Sequence, residues 1–171
     1  MKKFQKIINN YAFIDSQNVN LAIIDQGWRL DWKRYRDYLK FKYNITKAYL
    51  FIGYIEKNRP LYLFLKNSGY EIVFKPTVEI KNGETKGNVD AELVLHTMIQ
   101  YPNFNKAIIN SGDGDFHCLV EYLKLKNKLL KLIIPNQFKY SSLLRNFRED
   151  IVFMNGYRGK MNYQKKREAL S

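Results

Sequence analysis

The segment Ser111-Gly112-Asp113-Gly114-Asp115-Phe116 carries the densest chemistry in the chain. It follows the apolar run Ala107-Ile108-Ile109, which predicts a buried strand ending at Asn110. Two carboxylates two residues apart, between glycines at a strand exit, are poor core material. They are good ligands for a hard divalent cation, which takes oxygen donors. Glycine adopts backbone angles that other residues avoid, so Gly112 and Gly114 would let the chain turn sharply and aim both acids at one point. Two further acids, Asp15 and Asp90, also stand at the ends of predicted elements. Four carboxylates that met without a cation would repel each other strongly.

The elements that must position these acids alternate between strand and helix. A short buried strand is predicted over 11–14, ending at Asp15, then a helix over 18–26 stopped by Gly27. Asp31 reads as the N-cap of a helix running to about Tyr43. Apolar strands over 47–55 and 71–74 flank a helix over 60–67 closed by Gly69. Residues 77–87 contain the turn signal Asn82-Gly83 and read as a mobile loop or small hairpin. Beyond it come a helix over 89–100 capped by Asn88, a strand over 106–109, a helix over 116–126 and a strand over 129–134. A helix over 140–147 and a last short strand over 151–153 complete the series. Strands that are apolar runs, alternating with helices, argue for an α/β fold with a parallel sheet covered on both faces. Ligands of such sheets bind beyond the carboxyl ends of the strands. Asp15 follows the first strand, Asp113 and Asp115 follow the fourth, and Asp90 opens the helix before it, so the four could share one edge.

At 171 residues the chain fits one domain, expected over 1–155, with a basic, flexible tail over 156–171. No apolar run has the length of a membrane span, and no signal peptide is evident. The lone Cys118 cannot form an internal disulfide, which fits a reducing cytoplasm. Twenty-nine basic residues against sixteen acidic ones leave a net charge of +13. A field of that size favours polyanionic partners, nucleic acid foremost.

Competing chemistries fit less well. His96, His117 and Cys118 have no zinc spacing, and Asp113-Gly114-Asp115 lacks the register of an EF-hand loop. A phosphate loop, a dinucleotide fingerprint and a Ser or Cys nucleophile motif are all missing from the sequence. The helix after Asp31 crowds Lys33, Arg34, Arg36, Lys40 and Lys42 around Tyr35 and Tyr38. Such a face suits phosphate contact and base stacking along a single strand, or else it is a solvated face over core tyrosines. The acids have plainer readings too. Asp15 can cap the turn that follows it, Asp90 suits a helix's first turn, and Asp115 can cap the next helix. No helix end claims Asp113.

Asp15-Ser16-Gln17-Asn18 resembles the D-x-x-N motif of the NYN domains, a branch of the PIN-like nucleases. Lys86-Gly87-Asn88-Val89-Asp90 resembles their middle motif, and residues 111–116 resemble their S-G-D-x-D-F motif. The resemblance spans 11–153, and the chain is similar to the bacterial LabA-like group. It implies a Rossmann-like three-layer domain with a central parallel sheet and a nuclease dependent on Mg²⁺ or Mn²⁺, usually acting on RNA. Asp15, Asp90, Asp113 and Asp115 would form the metal and catalytic site, with Asn18 and Ser111 in support. Lys86, helped by Lys33, Arg34 and Arg36, would contact substrate phosphate, and the 77–87 loop could close over the site. One position departs: His96 stands where many relatives carry a further acid, and Glu92 leaves the helix at another angle. The alternatives are a catalytically weak or inactive RNA-binding or regulatory module, and a DNA- or structure-specific nuclease. A homodimer is left open.

Overall fold

The computed structural model describes residues 8–75, 78–79, 85–86 and 89–164, with the backbone alone over 78–79 and 85–86. Strand β1 (Asn10–Asp15) is buried along its whole length, as a strand covered on both faces must be. Tyr11 and Phe13 enter one core while Ala12 and Ile14 enter the other, the period-two alternation of a pleated strand. The chain continues through α1 (Ser16–Asp25), α2 (Trp32–Tyr43), β2 (Ile45–Gly53), α3 (Arg59–Asn67) and β3 (Tyr70–Lys75). A small antiparallel pair, β4 (Val78–Glu79) and β5 (Thr85–Lys86), precedes α4 (Asp90–Gln100). Then come β6 (Ala107–Asn110), α5 (His117–Leu125), β7 (Leu129–Ile134), β8 (Ile151–Phe153) and α6 (Arg158–Met161).

Six strands form one parallel sheet in the order β3-β2-β1-β6-β7-β8. Leu93 of α4 and Leu119, Val120 and Leu123 of α5 pack on Phe13, Phe51, Ile109 and Leu132 on one face. Val19 and Ile23 of α1, Tyr35 and Leu39 of α2 and Leu65 of α3 cover Ile14, Leu50, Ile108 and Ile133 on the other. The three-layer α/β fold expected from the alternating pattern is therefore the one adopted. The chain starts in the middle of the sheet, builds outward to β3, then returns to lay β6 on the free side of β1. The connection reverses at β1 and β6, and a crevice opens beyond their carboxyl ends.

Several elements differ locally from expectation. α1 starts at Ser16 rather than residue 18, because Asp15 accepts the Asn18 N–H at 3.0 Å and caps the helix early. Residues 142–147 form a 3₁₀ helix instead of an α-helix, opened by the Ser141 side chain accepting from Leu143 N. The β4–β5 pair matches the small hairpin, but Asn82-Gly83 and the expected cap Asn88 lie outside the described residues. Val89 occupies the cap position of α4 without a side-chain hydrogen bond. Packed structure also runs past the expected boundary at 155. Met161 is buried and its carbonyl accepts from Asp31 N at 2.8 Å, while the Tyr157 and Tyr38 hydroxyls share a 2.7 Å hydrogen bond.

Candidate functional site

β1 and β6 deliver the chain to one rim. Phe13 pairs with Ile109 and Ile14 with Asn110, so Asp15 and Ser111 leave the sheet side by side. Ser111 Oγ donates to Asp15 Oδ2 at 3.4 Å and accepts from Asp113 N at 3.2 Å. Asn18 Oδ1 accepts from Gly112 N at 2.9 Å, and Asp15 Oδ1 accepts from Asn18 N. Asp15, Asn18, Ser111 and Gly112 thereby close a hydrogen-bonded clasp between the first and fourth strands of the main sheet. The order of caps differs from expectation. Asp113 Oδ1 accepts from Asp115 N at 3.0 Å and caps the 3₁₀ turn Gly114–Phe116 that leads into α5. The helical path thus begins two residues earlier than the sequence reading placed it, and the cap falls to Asp113 rather than Asp115.

The clasp borders a cavity of about 240 Å³ lined by Asp15, Asn18, Asp90 and Asp113, with Gln17, Leu21 and Val89. One carboxylate oxygen each from Asp90, Asp113 and Asp115 lies within 4.8 Å of the other two. Asp15 stands outside that triplet but borders the same cavity, with only 5% of its surface exposed. Burial pushes its carboxyl up from 3.8 to about 6. The negative charges of Asp90 and Asp113 push the same way, while the Asn18 N–H and the Ser111 hydroxyl pull it down. Among the described residues the charged groups that line the pocket are all carboxylates, the hard oxygen donors a Mg²⁺-like ion takes.

The two glycines serve the site by their size. Positive φ among the described glycines is confined to Gly27 and Gly69, so no unusual backbone angle is used at Gly112 or Gly114. A Cβ on Gly114 would sit 2.9 Å from Ser141 Cβ and overlap the Ser141 hydroxyl; one on Gly112 would meet Tyr140 Cβ at 3.3 Å. The segment at Ser141, whose N–H bonds the Gly112 carbonyl at 3.0 Å, therefore buttresses the acidic loop. Tyr140 and Ser141 have no motif that would mark them from sequence, and Gln17 and Leu21 went unread for the same reason. Gly114→Ala must push the loop away from Ser141. We expect it to lower any cleavage by about tenfold, since small displacements of reacting groups are costly. Far-UV circular dichroism should stay unchanged, and an unaltered rate would remove this role.

The expected substrate contacts divide. Lys33 is exposed, and Arg34 is exposed and pairs with Asp31 at 3.4 Å. Lys86 lies in β5, but its side chain is outside the described residues. Arg36 corrects the reading: it is buried, 7% exposed, and not a surface cation. Its guanidinium donates to the carbonyls of Gly69 at 2.8 Å, Ile45 at 3.2 Å and Thr46 at 3.0 Å. It ties α2 to the starts of β2 and β3, the rim opposite the acids. Arg36→Lys should cost about 1–2 kcal/mol in urea unfolding, because an ammonium cannot reproduce the planar fork. RNA affinity should not change.

His96 packs edge-on against Phe51 at 5.7 Å, and Glu92 pairs with Lys75 at 3.2 Å, so neither belongs to the acidic triplet. Among the described residues no helix is long and apolar enough to cross a membrane.

Fold and pocket together define a Rossmann-like α/β protein with an aspartate cluster at its topological switch point. The NYN domain model matches residues 11–159, and the chain belongs to that family, a branch of the PIN-like nucleases. It is 25% identical over 156 residues to the low amplitude and bright protein LabA of Synechococcus elongatus, covering 85% of this chain and 83% of that one. Among solved structures, a protein of unknown function from Vibrio parahaemolyticus superposes with a TM-score of 0.73 at 22% identity. That likeness covers 95% of this chain and all of the other, and it shows the shared fold.

Proposed function

We propose that the chain is an endoribonuclease dependent on Mg²⁺ or Mn²⁺, hydrolysing RNA phosphodiesters at the aspartate cluster. The observation that carries this reading is the oxygen triplet of Asp90, Asp113 and Asp115 beside the buried carboxyl of Asp15. These four acids would hold the cation. A divalent cation, when bound, offsets phosphodiester charge and supplies a nucleophilic water at neutral pH. The chain's own groups set the stage for it. The Ser111 hydroxyl and Asn18 N–H fix the Asp15 carboxylate, and the Asn18 side chain fixes the loop that carries Asp113. The Asp115 N–H holds one Asp113 oxygen and orients the other. The net charge of +13 draws a polyanion toward this otherwise repulsive pocket, with Lys33, Arg34 and Lys86 as phosphate contacts. The lone exposed thiol of Cys118 suits a cytoplasmic setting.

Purified protein is expected to cut single-stranded RNA internally when Mg²⁺ or Mn²⁺ is added and to stop on EDTA treatment. Intact RNA and DNA after incubation with either ion would remove the proposal. Selective cutting of DNA would redirect it to a deoxyribonuclease.

A further inference from the structure

A second cavity, of about 350 Å³, opens at the carboxyl end of β2 between α1, α2 and α3. It lies at the small end of the volumes typical of small-molecule sites, roughly 300–1,000 Å³. Gln17 lines both this cavity and the acidic one, so the two are neighbours along one rim. Their separation is fixed, because Ser16, between Asp15 and Gln17, anchors its hydroxyl on the Phe51 carbonyl at 2.7 Å.

Among the described residues the lining is neutral: no Lys, Arg, Asp or Glu contributes to it. A phosphate or carboxylate would find no counter-charge there. Trp32, Ile52, Leu61 and Leu65 supply apolar walls. The Trp32 ring is held by edge contacts with Tyr35 at 6.4 Å and Tyr70 at 6.0 Å, so one wall is a preset aromatic surface. The amides of Gln17, Asn20 and Asn58 supply donors and acceptors. Among the described residues these three side chains make no hydrogen bond. Apolar walls with an amide edge match a neutral planar heterocycle, whose faces pack and whose rim carries donors and acceptors.

We propose that this cavity receives the base of an unpaired nucleotide next to the phosphodiester held at the acids. The inference rests on the nuclease reading and narrows its substrate to single strands. A base inside a duplex is stacked and paired and cannot enter without being extruded.

The test is fluorescence anisotropy with a short labelled single-stranded RNA and an abasic strand of equal length, with Ca²⁺ in place of Mg²⁺. Wild type should bind the intact strand about tenfold more tightly than the abasic one. Leu61→Trp fills the cavity from an exposed wall, and Asn58→Ala removes one amide. Each should weaken binding of the intact strand several-fold and leave the abasic strand unchanged. Circular dichroism checks that both variants fold. If wild type binds and cuts RNA but does not distinguish the strands, the base pocket fails while the nuclease reading stands. The same holds if neither variant changes the preference. If wild type neither binds nor cuts RNA, both fail together.

Discussion

Asp113→Asn is expected to lower metal-dependent RNA cleavage by about 10²–10³-fold, the range seen when one preset electrostatic group is removed from a reacting centre. The substitution is nearly isosteric. Its side-chain oxygen still accepts from Asp115 N, so the 3₁₀ turn that leads into α5 keeps its cap. The Ser111 hydroxyl still receives the residue's own N–H. What disappears is one negative charge among three whose oxygens lie within 4.8 Å. In the metal-free protein that loss relieves repulsion, so the melting temperature should hold or rise. The pairing of lost activity with intact stability separates a charge effect from a folding defect. Raising the metal concentration should recover part of the rate if cation affinity is what was lost. Wild-type rates in this variant would exclude Asp113 from the chemistry.

The second large effect concerns Asp15 and pH. Its folded-state carboxyl titrates near 6 against an ordinary 3.8. The folded protein therefore favours the protonated acid. The stability this group contributes is complete below the unfolded value and is lost as pH rises through about 6. A displacement of that size corresponds to about 3 kcal/mol. Metal-free wild type should thus lose up to that amount from this one group between about pH 4 and pH 7. Asp15→Asn keeps an oxygen to cap α1 and carries no titrating proton. At pH 7 without metal it should be more stable than wild type by about 1–3 kcal/mol, and at pH 4 the two should coincide. Adding Mg²⁺ at pH 7 should raise the melting temperature of wild type and barely move the variant. Parallel stability curves for the two proteins across this range would show that Asp15 carries no such burden.

The sheet was readable because its strands are apolar on both faces. Runs such as Leu129 to Ile134 leave no polar side to face water, and Asp31 announces the start of α2 by its position alone. The convergence of the acids was readable through the resemblance to the NYN motifs and through the parallel-sheet rule, which places Asp15 and Asp113 at one rim although they lie far apart in the chain. Two features were illegible because their reasons are tertiary. Arg36 sits in a basic helix like its neighbours, and nothing local says that its partners are carbonyls at Gly69, Ile45 and Thr46. The glycines of the acidic loop are plain in sequence, but Ser141, which demands their smallness, belongs to a distant turn. The capping roles were displaced for a related reason. A 3₁₀ entry into a helix leaves no signal beyond an acid followed by glycine, and either Asp113 or Asp115 fits that pattern.

The clasp joining Asp15 to Ser111 spans 96 residues of chain. On the ribosome, the first strand emerges long before the strand that must lie against it. Throughout that interval the nascent polypeptide carries Asp15, and then Asp90, without Asp113 and Asp115, so the acidic trap is incomplete. The trap closes only when β6 docks beside β1 and the turn through Asp115 has left the exit tunnel. Under the ribonuclease reading proposed above, the growing chain would be unarmed until that contact forms.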